Sequence, residues 1–391
     1  MSRVGTSLAL TIAVSIAAAP ASGMTVEQVI DKHIAAHGGR SAYDAVRTMK
    51  VTGEYTAFST SSPFTLIRKR ENRYLLDRTL NGAPVVIGFD GTTLWWDNAL
   101  REPGPRRVSE PDLGVWIREG DFVTPFFDYK ERGLQVELIG ETEFEGVPAI
   151  GVEVLRPDGA DETWYLDPET FLEMARVSPG SDFGNPMPQS TTFDDFREVG
   201  GLLLPFYVEI QWYTRSRMMR VAEVALNIDV DDAIFAMPPP VGMGPLQPLA
   251  GTFQVAWSQR PGPGADFVDS ERTTTIESLM DGALLRETYS PEEGGDVIRT
   301  LSFDKYRETY RMTQFAGDAG YMEIRAGTLD GETGRLTLSN QETGTAHPQY
   351  FARVTFFDIG EDGFSVEHEA SIDGGESWFV YARGRYTRSA G

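Results

Sequence analysis

Cysteine is absent from all 391 residues. That removes disulfides, thiol catalysis, iron–sulfur clusters and cysteine-ligated zinc in one step. Histidine is scarce, with His33, His37, His347 and His368 the whole supply, so imidazole-based metal chemistry has little to draw on and no metal is expected. Basic residues are outnumbered, 35 against 58 acidic, for a formal charge of −23. Such a surface repels phosphate backbones and anionic headgroups, which disfavours nucleic acid and polybasic membrane docking. Also missing are a Gly-x-Ser-x-Gly elbow, a P-loop, a dinucleotide fingerprint and a His-Glu-x-x-His helix. Carboxylate pairs are plentiful only because 58 acids make them so, and no enzyme and no cofactor are expected.

Long apolar runs are lacking too, apart from one near the N-terminus. A single charge, Arg3, precedes an apolar stretch at 8–19 and the small residues Pro20-Ala21-Ser22-Gly23. This is the layout of an export signal, with Ala19-Pro20-Ala21 meeting the small-x-small rule. The apolar stretch is about twelve residues, short of the roughly 20 that span a bilayer. The expectation is a signal peptide at 1–23, cleaved after Ala21 or Gly23, and a periplasmic or secreted protein with no membrane span after processing.

What is present is ordinary globular composition, 41% hydrophobic and 24% charged, over a length that favours two domains. The break falls in 236–250, where five prolines and two glycines cannot continue a helix or a central strand. The chain therefore divides into 24–240, a Pro/Gly linker at 241–249, and 250–391. The first part opens with a helix: Thr25 and Gln28 have capping-box spacing, Val26, Val29, Ile30 and Ile34 share a face, and Gly38-Gly39 stops it. A second short helix is predicted at 41–46. Period-two alternation follows from 49–57 onward and recurs in ten further runs to 217–227, separated by turns such as Asn81-Gly82 and Asp158-Gly159. Between them, 108–130 is aromatic-rich and helical or irregular. In the second part, strand signals with turns about every ten residues favour a closed antiparallel barrel, since closure removes exposed edges. The fold class predicted is mainly β: a large antiparallel sheet with a few helices and an aromatic insertion placed to cover it, then a closed β-barrel.

Several motifs carry candidate chemistry. Trp95 and Trp96 are adjacent on a strand, so they face opposite sides and one needs a cover. With Trp116, Phe122, Phe126, Phe127, Trp164 and Trp212 they could line a cavity beneath 108–130 or form plain core. His33 and His37 stand four apart, a spacing that can bring two imidazoles to one ion. A third ligand is not evident, and decoration of the helix face is the reading preferred. His368 shares a strand face with Phe364, Val366, Ala370 and Ile372, which points it into the barrel. A haem barrel would need such a residue, but a hydrogen-bonded core histidine is the plainer reading. Residues 371–378 match the Asp-box pattern Ser-x-Asp-x-Gly-x-Ser-Trp, read as a hairpin clamp. The acids Asp229, Asp231 and Asp232 are read as capping a short turn at 233–236.

The ordered set Ala36-His37-Gly38-Gly39-Arg40, Phe89-Asp90-Gly91-Thr92, Tyr165-Leu166-Asp167-Pro168, Phe193-Asp194-Asp195-Phe196 with Leu203-Leu204-Pro205, and Asp232-Ala233-Ile234-Phe235 resembles the LolA/outer-membrane-lipoprotein-sorting-like proteins over about 24–240. That resemblance implies that the sheet is curved, an unclosed barrel with a helical cover, whose concave apolar face holds acyl chains or hydrophobic peptides. Gly251-Thr252-Phe253, residues 301–307 and Tyr386-Thr387-Arg388 resemble the DUF1579-type, lipocalin-like barrels over about 250–388. Together they imply an exported envelope protein that binds or carries a hydrophobic or amphipathic molecule: a lipid, acyl chain or lipoprotein. An envelope-stress sensor or interaction module with a protein partner is the alternative, and an enzyme using the second barrel is the least favoured.

Overall fold

The computed structural model describes residues 23–109, 112–182, 184–213, 215–290, 295–317, 321–343 and 350–389. The signal at 8–19 and its Ala19-Pro20-Ala21 site, together with His347, lie outside the described residues. Among the described residues no helix is long and apolar enough to cross a membrane. The chain divides into two compact units. One takes the chain up to Pro103 and then Arg107–Met237; the other takes Gly104–Arg106 and the chain from Pro238 onward.

In the first unit, α1 (Val26–Ala36) begins on the capping box the sequence predicts, Gln28 N–H donating to Thr25 Oγ1 and Thr25 N–H to Gln28 Oε1. α2 (Gly39–Ala45) follows at once. The corner needs glycine: Gly38 has φ 97°, and a Cβ there would strike Gly201 O. Six strands then run outward as a meander: β1 (Thr48–Ala57), β2 (Thr60–Lys69), β3 (Arg73–Leu80), β4 (Ala83–Phe89), β5 (Leu94–Asn98) and β6 (Glu102–Arg107). Seven more return: β7 (Gln135–Phe144), β8 (Val147–Leu155), β9 (Asp161–Leu166), β10 (Glu173–Asp182), β11 (Asn185–Val199), β12 (Leu202–Trp212) and β13 (Arg215–Leu226). The halves join where β1 pairs antiparallel with β13, from Met49↔Leu226 to Thr56↔Met218. The result is a curved, unclosed 13-stranded sheet with β6 and β7 at opposite edges.

That topology dictates the cover. The chain between β6 and β7 must cross from one edge of the sheet to the other, and it does so through α3 (Asp112–Ile117) and 3-10 turns at Arg118–Gly120 and Pro125–Phe127. Its aromatics face inward. Phe122 and Phe127 pack with Tyr55, Phe64 and Leu66 of β1 and β2, while Phe126 packs with α1 and with Val152 and Trp164 of β8 and β9. Residues 94–107 form β5 and β6; Trp95 and Trp96, placed on a strand by the sequence, are both buried, one on each side of the sheet.

The second unit is a closed antiparallel barrel of β14 (Gly251–Gln259), β15 (Val268–Leu279), β16 (Leu284–Tyr289), β17 (Val297–Asp304), β18 (Thr309–Ala316), β19 (Tyr321–Leu329), β20 (Leu336–Ser339), β21 (Phe351–Gly360), β22 (Gly363–Ser371) and β23 (Phe379–Arg388). It closes where β14 pairs with β23, Phe253↔Arg388 to Gln259↔Ala382. The proline-rich stretch 241–249 is more than the linker its composition suggests. Gly244–Leu249 forms a 3-10 helix whose Leu246 and Leu249, with Met243, are buried in the barrel core. Proline forbids a strand there but not burial, so the stretch serves as a plug. Tyr306 and Glu308 fall in the turn before β18.

Candidate functional site

Between the cover and the sheet of the first unit lies a cavity of about 910 Å³, counting its open mouth. Its walls differ in chemistry. The floor is apolar: Met49 and Val51 of β1, Phe64 and Leu66 of β2, Leu204, Val208 and Ile210 of β12, and Met219, Val221 and Val224 of β13. The charged part of the lining, a roof only in part, comes from both sides: Arg118, Glu119 and Asp121 from the cover, and Arg68 of β2 with Glu173 and Arg176 of β10 from the sheet. Burying charge is costly unless it is paired, and here it is extensively paired. Arg156 holds Glu162 (Nε to Oε1, 2.7 Å) and Asp121 (Nη2 to Oδ2, 2.6 Å). Arg118 reaches the same Glu162 at 3.3 Å and donates to Pro179 O, and Trp164 Nε1 donates to Glu162 Oε2. Burial alone would raise the Asp121 carboxyl, but the Arg156 and Arg132 guanidiniums hold it below the usual carboxylate value. Among the described residues, Arg176 Nε is buried with no hydrogen-bond partner, and Asp121 Oδ1 has only its ion pair with Arg132.

Beside this roof α1 turns its two histidines inward. Both are fully buried, which corrects their reading as decoration of the helix face. His33 sits in phase with Val29 and Ile30, and His37 extends the same face by one turn. His33 bonds Phe171 O (Nδ1, 2.8 Å) and Thr124 Oγ1 (Nε2, 2.9 Å). His37 bonds Leu203 O (Nδ1, 2.6 Å) and Glu173 Oε2 (Nε2, 2.6 Å). Burial pushes His33 down to about 4. His37 goes the other way: against burial, the Glu173 carboxylate raises it above the ordinary histidine value. Glu173 is itself held low by His37 despite its burial. The ligand that the histidine pair lacked in sequence is therefore Glu173, brought in by β10.

The aromatic candidates separate. Phe122 and Trp164 line the main cavity. Trp96 and Trp116 line a second pocket with Arg78 and Asp112. Trp95, Phe126, Phe127 and Trp212 line neither. Trp95 donates from Nε1 to Phe235 O, 2.8 Å, and lies over Gly88, where a Cβ would collide with the indole. Phe127 stacks on Tyr43 with centroids 4.1 Å apart, and Trp212 lies under Arg217. Phe126 packs edge-on to His33.

In the barrel, His368 lies inside, edge-on to Trp257 and Tyr381, with no hydrogen-bond partner among the described residues. It lines a cavity of about 470 Å³, mouth included, with Glu287, Arg299, Tyr386 and apolar neighbours. Burial, with the charges of Arg299, Arg325 and Arg272, drives His368 well below the usual imidazole value. The Asp-box residues form a turn: Ser371 Oγ donates to Asp373 Oδ1 and accepts from Gly375 N–H, and Ser377 N–H donates to Asp373 Oδ1. Asp231 accepts from Ala233 N–H and caps the 3-10 turn Asp232–Phe235.

The ionic roof went unread in the sequence, although part of it was signalled. Glu162 alternates in phase with Trp164 and Leu166, so a strand reading already turns it inward. Arg118, Asp121 and Arg156 lie outside any periodic run and gave no signal.

No protein-family model matches this chain, and no curated protein matches it. Among solved structures it is similar to a LolA superfamily protein from Nitrosomonas europaea, at 11% identity and a TM-score of 0.37, over 55% of this chain and 98% of that one. A DUF1329 family protein from Desulfovibrio piger gives 11% identity and a TM-score of 0.39, again over 55% and 98%. MucB in complex with MucA(peri) gives 12% identity and a TM-score of 0.20, over 92% and 99%.

Proposed function

We propose that the first unit binds one amphipathic molecule, its apolar chain on the sheet and an anionic head under the charged roof, and carries it in an exported compartment. The observation that carries this reading is the mixed lining of one cavity, an apolar stretch of sheet beside a cluster of paired charges. An acyl chain laid on Met49, Phe64, Leu66, Val208 and Met219 would gain about 0.8 kcal/mol per buried CH₂. At the roof, Asp121 is occupied by Arg156 and Arg132, and Glu173 by His37. Arg176 pairs with Glu119, Arg118 shares Glu162 with Arg156, and Arg68 donates to the Glu119 main-chain carbonyl, so an anionic head would complete these guanidiniums. On this reading the first unit is a LolA-like half-barrel, the second a lipocalin-like barrel of DUF1579 type, and the protein binds its cargo without turning it over.

The test is native mass spectrometry of the mature protein taken from its own envelope without detergent. The expected result is a discrete extra mass, released on denaturation and diminished in Arg176→Gln. A clean apo mass together with a stoichiometric protein partner in envelope pull-downs would overturn the carrier reading in favour of a partnered sensor.

A further inference from the structure

We propose that His33, His37 and Glu173 bind one divalent transition-metal ion, with zinc as the reference ion. This goes beyond the carrier reading and does not depend on it. A main-chain carbonyl can only accept, so His33 Nδ1 at Phe171 O and His37 Nδ1 at Leu203 O must both carry protons. Each ring is thereby left with Nε2 as its coordinating edge. Metal-bound histidines are held in this way, the far N–H fixed by an acceptor that sets tautomer and ring angle. One of the two acceptors comes at a conformational cost, since Phe171 presents its carbonyl from φ 62°, which bulky residues rarely adopt.

The third ligand is in place. Glu173 Oε2 lies 2.6 Å from His37 Nε2, and one ligating atom from each of the three residues lies within 4.8 Å of the others. All three side chains are buried, so this is not the surface cluster that forms wherever acids are common. Thr124 Oγ1 stands 2.9 Å from His33 Nε2 as a neutral oxygen beside the set. Glu173 also lines the main cavity, which gives an ion a way in. Two imidazoles and one carboxylate suit Zn²⁺, Co²⁺ or Fe²⁺, and a chain without cysteine offers no thiolate to select a softer ion.

The proton balance makes the idea sharp. With both Nδ1 atoms protonated, the short His37–Glu173 contact needs one further proton between Nε2 and Oε2. An incoming ion takes its place and expels it. The pair is then a site held closed by a proton, and binding should release about one proton per ion near neutral pH.

The experiment uses the mature chain without a histidine tag, stripped with chelator and titrated with Co²⁺. One equivalent should produce visible ligand-field bands, displaced by Zn²⁺, and calorimetry in buffers of different ionisation enthalpy should count about one proton released. Glu173→Gln and His33→Gln, each checked for native far-UV dichroism, should lose the bands. A wild-type chain that gives no stoichiometric bands overturns the site, and so do bands that persist in both variants. Should either variant fail to fold, the wild-type proton count decides: zero release is incompatible with displacement from His37 and Glu173. Loss of cargo mass with intact cobalt bands, or the reverse, separates this inference from the carrier reading.

Discussion

The two units enclose their interiors by opposite routes. The 13-stranded sheet stays open, so its inner face must be covered by chain from elsewhere: α1, α2 and the crossing segment between β6 and β7. The ten-stranded barrel closes on itself and needs only a plug, which Gly244–Leu249 supplies. The difference shows in the buried charge. Where a separate cover meets a sheet, each side can bring one partner of an ion pair, and Arg156 gathers Asp121 from the cover and Glu162 from β9. Inside the barrel, Arg272 and Arg299 both lean on Glu287 while Arg325 takes Glu323, three guanidiniums to two carboxylates. The open sheet has room for a site at a seam. The barrel gathers Glu287, Arg299 and His368 around a smaller cavity of its own, about 470 Å³ with its mouth.

The largest expected effect tests the seam. Glu162→Gln would leave Arg118 and Arg156 buried without their common carboxylate, and breaking such a pairing costs about 3–5 kcal/mol. Urea denaturation of the full chain should show it, and a loss below about 1 kcal/mol would break the comparison. Next comes the plug. Leu246 is fully buried, and Leu246→Ala should cost about 2–5 kcal/mol while leaving any cargo mass in the first unit unchanged.

A smaller effect concerns pH. His368 has its folded value depressed, so its neutral form contributes stability that is present above the unfolded value near 6.5 and lost as pH falls below it. In the first unit the two histidines oppose each other. His33, depressed to about 4, loses stability from 6.5 downward, whereas His37, raised, loses it as pH climbs through its folded value. His368→Phe, which keeps an aromatic ring against Trp257, should therefore flatten the decline in urea midpoint between pH 7 and 5. An unchanged slope would show that the barrel histidine does not govern it. The smallest effect is at the cover's first turn, where Thr25→Ala removes the capping box of α1 and should cost about 1 kcal/mol, read as a small fall in Tm.

Much of this architecture was legible because it is local. Capping-box spacing, glycine corners and period-two alternation are properties of neighbouring residues, so α1 and most strands could be placed from sequence. Trp95 and Trp96 had to face opposite sides of one strand, leaving one of them exposed or under a cover, and both are buried. The site was legible only in fragments. Of eight aromatic candidates, Phe122 and Trp164 reach the main cavity, because alternation tells which residues are inside but not whether they meet a void or another ring.

The sequence by itself determined the mainly β class, a large antiparallel sheet with an aromatic covering segment and the second barrel, since hydrophobic period and turn chemistry act over a few residues. That the sheet is curved and unclosed came only with the family resemblance. The tertiary structure decided what stands opposite what. Glu173 lies 136 residues from His37, Asp121 lies 35 from Arg156, and the proline-rich stretch sends Met243, Leu246 and Leu249 into the barrel core. Such pairings depend on strand register and on the path of the crossing segment, and neither can be read from any one stretch of chain.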